Sequence, residues 1–516
     1  MKSRHLSNTS NATPPSSTLT RRQAIQGAAA LAAFSLIPAC SSSGGSGSGS
    51  NPTGSNSQPT PSGSITGASL TVTSTTAGSI GPAFAGFSYE KSQIHAPVFT
   101  GTNSNLIALF KRLGTSVLRI GGNSVDQTVW NPSGAGQTSG QVAPSDVAAL
   151  AAFVKATGWQ CLYGINLGGS ATGATTPALA ASEVAYAVQQ FGSSLLGIEI
   201  GNECDLFGSS CCGGYYLNNW SLSQFLALWG QYRAAILATT PNVPFTGPAS
   251  AGSASTWTIP FGQSVTKNEI TLLTQHYYRA NGQSPTSTAA FLVTPDSTLV
   301  SELVTLKAGA QGIGVPYRIG ECNSYYNGGA SGVSNSYASS LWVIDYLFNC
   351  AQGGASGVNF HGGGNGTGYT PIADSNGIVV GARPEYYGIL LFTLAGQGTL
   401  YATQLAVGSL NVTAYAVKTS SGGLNLVIVN KDSSQNLQLT IQLPQSATSA
   451  SLLEMTQLSL GNSAPNLTAT SNVTIQGASV NNDGTFSPST PYALSPSGSQ
   501  LKCYVPFLST VLIQIV

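Results

Sequence analysis

The feature that most restricts the fold of this chain is a regular alternation of strand-like and helix-like segments between residues 84 and 392. Helical patterns such as LIALFKRLG, DVAALAAFVKATG and LWVIDYLF separate short apolar runs. Strand starts are predicted at Phe84, Val117, Gln160, Ile198, Val243, Ile270, Tyr317 and Gly357. Strands separated by helices pair in parallel, so eight such units over roughly 310 residues predict an α/β fold, a (β/α)8 TIM barrel at residues 81–392.

A different pattern begins near residue 393. Runs such as LNVTAYAVKT, GLNLVIVNKD and STVLIQIV alternate apolar and polar residues between Gly, Ser and Pro turns. We therefore predict a C-terminal β-sandwich domain at residues 393–516. The segment SLTVTSTTAGSIG, within residues 68–80, has the same strand-like alternation.

The first 40 residues are typical of an export signal. The segment TRRQAIQGAAALAAFSLIPAC pairs two arginines with an apolar stretch of about 15 residues, which is too short to span a bilayer comfortably. It resembles a twin-arginine signal, and its LIPAC end resembles a lipobox. We therefore expect an exported, periplasmic or cell-surface lipoprotein acylated at Cys40. A soluble secreted protein or an ordinary N-terminal anchor are the alternatives. Residues 41–67 are mostly Ser, Gly, Pro, Thr and Asn, which predicts a flexible linker.

Charge is scarce in this chain. Only 7% of the residues are charged, the net charge is +1, and no run of Lys or Arg occurs after residue 22. This composition argues against a nucleic-acid partner, which requires a basic surface. Each of the 17 acidic residues is costly inside an apolar run, so one found there deserves a functional explanation.

Cysteines and histidines give no sign of a cofactor. Seven cysteines remain after Cys40, and they are scattered. Cys204, Cys211 and Cys212 are close enough in sequence for a loop-closing disulfide, and a zinc site is the less favoured alternative. The four histidines are dispersed and no phosphate-binding loop is found, so we expect neither a metal nor an organic cofactor.

Two glutamates stand where strands end. GIEIGNECD places Glu203 after the fourth strand, and PYRIGECNSYYNGG places Glu321 at the end of the seventh. These strands face each other across a closed barrel, so the two carboxyl groups can flank one glycosidic bond. The alternative is an internal salt bridge with Arg119 or Arg318.

The motifs GGNSVDQTVW, EIGNECD, QHYYRANG, GECNSYYNGG, LWVIDYLF and NFHGGG resemble those of the β-glucuronidase and heparanase family, glycoside hydrolase family 79. That resemblance implies a (β/α)8 barrel with a β-sandwich to which an N-terminal strand contributes, here residues 68–80. It also implies a retaining mechanism on β-linked glucuronides. Carried over by motif, Glu203 is the acid/base and Glu321 is the nucleophile.

The resemblance further implies a set of sugar contacts. Asn202 is expected to bind the sugar 2-hydroxyl and Tyr278 to donate to Glu321. Tyr326 and the backbone amides of Gly328 and Gly329 are expected to hold the glucuronide carboxylate. From their positions at strand ends alone, we also expect sugar contacts from Glu90, Asn123, Asp126 and His361, with a purely structural role as the alternative for each.

The expected partner is a glucuronide-containing oligosaccharide or polysaccharide, with glucuronic or 4-O-methylglucuronic acid as the sugar removed. Two other functions remain open from the sequence. One is a retaining glycosidase of a related barrel family that acts on a neutral sugar. The other is a non-catalytic surface carbohydrate-binding lipoprotein that uses aromatic residues such as Trp130, Trp220 and Trp257.

Overall fold

A closed barrel of parallel strands lies at the centre of the computed structural model, which describes residues 56–516 except 211–213, 218, 367 and 459–463. The predicted export signal, Cys40 and the linker up to residue 55 lie outside the described residues, as do Cys211 and Cys212.

Twenty-two strands are found in the described part of the chain. They are β1 (Ile65–Ile80), β2 (Ala85–Glu90), β3 (Val117–Gly121), β4 (Val129–Trp130), β5 (Gln141–Val142), β6 (Gln160–Ile165), β7 (Leu195–Ile200), β8 (Phe245–Ser250), β9 (Leu272–Asn281), β10 (Tyr317–Tyr326), β11 (Val358–Gly362), β12 (Ile372–Ser375), β13 (Ile378–Ala382), β14 (Gly398–Ala406), β15 (Val412–Thr419), β16 (Leu424–Asn430), β17 (Asn436–Gln442), β18 (Ala450–Gln457), β19 (Val473–Ile475), β20 (Tyr492–Leu494), β21 (Gln500–Val505) and β22 (Ser509–Ile515).

The α-helices lie between residues 104 and 395. They are α1 (Ser104–Arg112), α2 (Pro144–Thr157), α3 (Pro177–Phe191), α4 (Leu222–Thr239), α5 (Thr258–Val265), α6 (Ala289–Leu292), α7 (Ser297–Ile313), α8 (Tyr337–Gln352) and α9 (Pro384–Ala395).

The barrel closes in the order β2, β3, β6, β7, β8, β9, β10, β11, with β11 pairing back to β2. Each of these strands starts within three residues of the position predicted from the sequence. The (β/α)8 prediction is therefore confirmed, with β7 as the fourth barrel strand and β10 as the seventh. All five residues of β3 are buried, including Arg119, because the barrel interior is filled by side chains.

Helix boundaries follow ordinary capping chemistry. Thr176 accepts a hydrogen bond from the backbone N–H of Leu179 at the start of α3, and Asp296 does the same for Leu299 at the start of α7. α2 and α7 each end at a glycine in the left-handed conformation, Gly158 and Gly314. These glycines end the two helices before the barrel strands that follow them.

The remaining large sheet has ten strands in the order β19, β18, β22, β16, β15, β14, β1, β17, β21, with β20 paired to β18. Its curled form is the predicted β-sandwich. β1 runs antiparallel to β14 and parallel to β17, so a strand that precedes the barrel in sequence lies inside the sheet that follows it. The exact division of the chain at residues 81 and 392 stays a prediction.

Strand β16 joins the two hydrophobic cores. Its side chains alternate, so Leu426 and Ile428 pack inside the sandwich while Val427 and Val429 pack with the helices of the barrel. The ring of Phe348 in α8 stacks on Tyr415 with centroids 4.2 Å apart. The sandwich thus supports the helix that follows β10, and with it the seventh barrel strand.

Candidate active site

Glu203 and Glu321 come together at the carboxyl-terminal mouth of the barrel. One carboxylate oxygen of each, together with a ring nitrogen of His276, lie within 4.8 Å of one another. Retaining glycosidases place their two carboxyl groups about 5 to 5.5 Å apart, whereas inverting enzymes leave a wider gap for water. An approach of 4.8 Å or less between the nearest atoms is compatible with the closer of these two arrangements.

Glu203 stands on a sharp turn immediately after β7. Gly201 and Glu203 both have positive φ, at 80° and 49°, and the Glu203 backbone N–H donates to the Ala249 carbonyl at 2.8 Å. A non-glycine residue in this conformation is held there by its surroundings at an energetic cost. The turn directs the Glu203 side chain, 18% exposed, into the mouth of the barrel.

The environment of Glu203 favours its protonated form. Burial raises the pKa of Glu203 to about 7, although the charges of Arg119 and His361 oppose the rise. His276 lies on β9 with Nδ1 2.9 Å from Glu203 Oε1. Burial lowers the pKa of His276 to about 4, and its Nε2 has no partner among the described residues, so the imidazole is neutral near pH 7. A neutral partner can orient the carboxyl group without forcing it to ionise.

Glu321 has the opposite environment. Its Oε2 accepts a hydrogen bond from Arg119 Nη1 at 2.8 Å, and its Oε1 accepts one from the Tyr278 hydroxyl at 2.8 Å. The fully buried Arg119 also bonds Glu199 through Nε at 2.6 Å. A charged donor and a hydroxyl on the same carboxylate stabilise its ionised form. A salt bridge with Arg119 was the alternative role for Glu321. That salt bridge is present, but the Glu321 carboxyl group also faces the mouth of the barrel.

Arg318 plays a different part from Arg119. Its guanidinium bonds Asn359 and the backbone carbonyls of Ala83, Phe84 and Val358, and in the described part of the chain it has no carboxylate partner. Burial lowers its pKa to about 9. Arg318 therefore ties together the strands at the bottom of the barrel.

Asn202, next to the acid/base candidate, is fixed from two sides. Its Oδ1 accepts from Arg119 Nη2 at 2.9 Å, and its backbone N–H donates to Asp126 at 3.0 Å. Because the amide oxygen is taken, the Nδ2 donor is left for a ligand such as a sugar hydroxyl. Arg119 thus positions Asn202 and Glu321 together.

The surroundings of Asp126 favour the structural role that was its alternative. This side chain is 4% exposed, and its carboxylate accepts backbone N–H groups from Leu167, Gly168 and Asn202. Burial raises the pKa of Asp126 to about 6 despite these three hydrogen bonds. These bonds join the loops after β3, β6 and β7, and through the last of them Asp126 positions Asn202.

Glu90 and His361 form a second group at the mouth. Glu90 accepts from the backbone N–H and the hydroxyl of Ser124, and His361 Nε2 lies 3.5 Å from its Oε1. Burial works to raise the pKa of Glu90, but His361 and Ser124 lower it to about 2. Burial alone would lower the pKa of His361, and the charges of Glu321 and Glu90 raise it instead. His361 therefore lies between two carboxyl groups, 3.5 Å from Glu90 and 3.6 Å from Glu321, which favour its protonated form. Asn123 is exposed at the start of the short turn Asn123–Gln127, with its side chain available.

The loop after β10 borders the other side of the mouth. Tyr326 is 45% exposed, and its ring lies 6.5 Å from that of Tyr278. Gly328 and Gly329 both have positive φ, and a side chain at Gly329 would collide with the backbone of Tyr369. Glycine is needed here because two loops approach closely.

Arg119, His276 and Tyr369 were not predicted as site residues. The Tyr369 ring is 5.8 Å from Tyr278 and 6.0 Å from His361, so it faces the same space as Tyr326. It follows a glycine-rich stretch with no strand pattern, so the sequence carries no signal for it. Arg119 could have been found, because a cation in the buried run VLRIG needs a partner.

The tryptophans considered for carbohydrate binding contact other residues of the protein, and Cys204 lies in the interior. The Trp130 indole donates to Ser182 and the Trp220 indole to the Cys204 carbonyl, while Trp257 packs on Phe225. Cys204 is buried. Ligand atoms of Glu203, His276 and Glu321 lie close enough to surround an ion. We interpret them as a carboxyl pair with its histidine partner, because Glu203 bonds His276, and Glu321 bonds Arg119 and Tyr278.

Comparison with known proteins agrees with this geometry. No family model matches the chain. It is similar to a β-glucuronidase of Aspergillus niger, with 25% identity over 354 residues that cover 61% of this chain and 63% of that protein. A β-glucuronidase of Neurospora crassa is 26% identical over 415 residues, covering 68% of this chain and 72% of the relative. The chain thus spans less than two thirds of the Aspergillus niger relative's length.

Solved structures show the same fold. A 4-O-α-L-rhamnosyl-β-D-glucuronidase from Fusarium oxysporum superposes with a TM-score of 0.70 at 19% identity, covering 86% of this chain and 99% of that one. A family 51 arabinofuranosidase from Xanthomonas axonopodis gives 0.60 at 15% identity, covering 87% and 100%. The chain therefore has the fold of these barrel glycoside hydrolases. Its sequence is similar to fungal β-glucuronidases, as the motif resemblance predicted.

Proposed function

We propose that this protein is a retaining β-glucuronidase that releases β-linked glucuronic acid, or its 4-O-methyl form, from oligosaccharides or polysaccharides. The observation that carries the proposal is the pair formed by Glu203 and Glu321, within 4.8 Å across the mouth and in opposite environments. One carboxyl group keeps its proton near neutral pH, while the other is held by Arg119 and Tyr278.

In the first step, Glu321 attacks the anomeric carbon while Glu203 protonates the departing glycosidic oxygen. The bond to the leaving group breaks, and a glycosyl ester forms on Glu321. In the second step, Glu203, now ionised, takes a proton from water, and the resulting hydroxide displaces Glu321. Asn202 supports both steps by donating to the sugar 2-hydroxyl, a bond that strengthens in the transition state.

Recognition of the sugar carboxylate is assigned to the loop after β10. The backbone N–H groups of Gly328 and Gly329 and the Tyr326 hydroxyl are suitable donors, and Tyr369 adds a second hydroxyl on the same side. The imidazolium of His361 adds positive charge nearby. The names of the Aspergillus niger and Neurospora crassa relatives, both β-glucuronidases, support this substrate.

The first test compares p-nitrophenyl β-D-glucuronide with the β-D-glucoside and β-D-xyloside, using wild type and Glu321→Gln. We expect a strong preference for the glucuronide, lost with the substitution, and the β anomer as first product by NMR. Preference for a neutral sugar would support the catalytic roles of the two glutamates but refute the proposed site for the sugar carboxylate. No turnover of any aryl glycoside, with glycan binding intact, would favour the non-catalytic carbohydrate-binding function.

We further propose that the protein is exported and carries a lipid on Cys40, on the basis of the TRRQAIQ and LIPAC segments. Mass spectrometry of the mature N-terminus tests this. A mature chain that begins at Cys40 with an added diacylglycerol mass is expected, and cleavage at another position without lipid would refute the anchor.

A further inference from the structure

A cavity of about 350 Å³ lies beside the active-site mouth, between the hairpin of β12 and β13, the start of α9 and the segment 470–473 of the sandwich. This volume is at the lower end of the range found for small-molecule sites. Amides and hydroxyls line much of it, including Asn335, Asn365, Thr470 and Asn472. Among the described residues that line it there is one cation, Arg383, and no acid.

Arg383 carries a charge that the described part of the chain does not neutralise. It makes no ion pair there, and burial alone accounts for the lowering of its pKa. Glu385, two residues further on, is buried with its pKa raised to about 8 by burial, so it is uncharged at neutral pH. A partly desolvated cation without a counterion is costly, which gives it a reason to bind an anion.

The Arg383 guanidinium does not use all of its N–H donors within the protein. Nη1 bonds the carbonyls of Gly366 and Gly368 at 2.7 and 3.2 Å, and Nη2 bonds Asn365 Oδ1 at 3.1 Å. Arginine has five N–H groups, so these three hydrogen bonds leave two donors for a ligand in the cavity. A planar fork of this kind suits a carboxylate or a sulfate.

The same loop forms the boundary between this cavity and the catalytic site. Asn365 lines the cavity, whereas Tyr369 faces Tyr278 and His361. Gly368 lies directly against the Gly328 carbonyl, so closely that any side chain there would collide with it. The cavity and the catalytic site therefore share this loop, with Asn365 at the cavity and Tyr369 at the catalytic site.

We propose that this cavity is a second carbohydrate subsite, which binds a carboxylate- or sulfate-bearing sugar of the glycan whose terminal or internal glucuronide occupies the catalytic site. The assignment rests on the proposed function. The preferred substrate is then an acidic glycan with more than one charged sugar. Arg383 contacts the second charged sugar.

The experiment measures the ratio of kcat/KM for an acidic oligosaccharide of repeating uronic acid units to kcat/KM for p-nitrophenyl β-D-glucuronide, in the full chain. Arg383→Gln should lower this ratio roughly tenfold, as expected for loss of a charge-assisted hydrogen bond. Arg383→Lys, which keeps the charge, should recover part of it. The control Arg233→Gln removes an arginine on α4 that is paired with Glu269, and it should leave the ratio unchanged.

A second variant guards against a folding defect in Arg383→Gln, because Arg383 also supports a loop. Val380 lines the cavity and is 48% exposed on β13, so Val380→Glu should fold and place an acid beside Arg383. It should lower the ratio as Arg383→Gln does, while the uncharged Val380→Gln should not. Sulfated and non-sulfated oligosaccharides distinguish the two anions.

The possible outcomes separate the two proposals. If wild type does not hydrolyse the aryl glucuronide, the proposed function fails. If it does, and the ratio is unchanged in both Arg383→Gln and Val380→Glu, the second subsite is wrong while the catalytic function stands. A ratio lowered equally by Val380→Gln and Val380→Glu would indicate steric disturbance and would also overturn the charge-specific subsite.

Discussion

At the scale of single residues, the proposed acid/base role of Glu203 predicts how activity depends on pH. Its pKa is raised to about 7 by burial, and the first step needs the protonated form. We expect kcat/KM for a glucuronide with a poor leaving group to fall as pH rises through about 7. The measurement is a pH–rate profile, and in Glu203→Gln this alkaline limb should vanish. An unchanged limb in that variant would assign it to another group.

The leaving group separates the roles of the two glutamates. Activated aryl glycosides depart without a proton, whereas sugar leaving groups need one, so Glu203→Ala should slow glycan cleavage by about 100-fold or more relative to aryl glucuronide cleavage in the first step. Burst-phase kinetics separate this step from hydrolysis of the glycosyl ester. Glu321→Ala should abolish both. Equal slowing of both substrates by Glu203→Ala would contradict its assignment.

The sequence predicts which glutamates form the pair but not what surrounds them. Glu203 follows the apolar strand β7, whereas β10 continues beyond Glu321 to Tyr326, and their positions on opposite barrel strands bring them across the mouth. The contacts of Arg119 and the neutral state of His276 depend on burial and on neighbours from other strands. For Asp126 a strand-end position indicates proximity to the mouth, but it does not indicate which backbone N–H groups bond the side chain.

At the scale of elements, one ion pair joins the barrel to the sandwich. Asp345 in α8 accepts from Lys431 Nζ at 2.6 Å and from the Tyr415 hydroxyl at 2.9 Å. The Lys431 side chain is 1% exposed. Asp345→Ala leaves a buried cation without its partner, so we expect about 3 kcal/mol lower stability.

Denaturant unfolding of Asp345→Ala, Lys431→Met and the double variant measures this effect. The double variant should recover much of the loss, because the buried charge is gone. Additive losses would mean that the two side chains do not interact. Asp483→Ala, which removes an exposed loop acid, provides a control for the loss of a carboxylate.

Regular elements were predictable, and irregular insertions were not. The barrel strands follow apolar runs that any parallel sheet requires, so their starts agree within three residues. The short pairs β4 with β5 and β12 with β13 lie in loops where pairing depends on distant packing. β1 extends to Ile65, beyond the predicted start near residue 68, because its first residues pair with β17 despite their polar character.

At the scale of the whole molecule, buried carboxyl groups make stability depend on pH. Burial raises the pKa to about 8 in Glu385 and to about 7 in Glu203 and Glu454. In the unfolded chain these groups release their protons near pH 4.5, so above that value the folded state binds more protons than the unfolded state. Stability therefore falls as pH rises toward 8, by up to about 1.4 kcal/mol per pH unit for each such group.

Thermal unfolding near pH 6.5 and near pH 8 tests this expectation. The Tm should be lower at the higher pH, and the difference should be smaller in Glu385→Gln, which has no proton to lose. Glu269→Gln, at the partly exposed partner of Arg233, serves as the control and should leave the difference unchanged. A Tm that rises toward pH 8 would contradict the conclusion that these carboxyl groups are buried in their protonated form.

The position of β1 also fixes the order in which the molecule can be completed during synthesis. β1 ends at Ile80, but its neighbour β14 begins at Gly398, so a strand with buried Leu70, Val72 and Ile80 must wait for more than 300 residues to emerge. At ordinary rates of translation that wait is roughly 15 to 60 s. Until the ribosome has delivered β14 and then β17, this apolar segment lacks its native neighbours and stays available for non-native contacts.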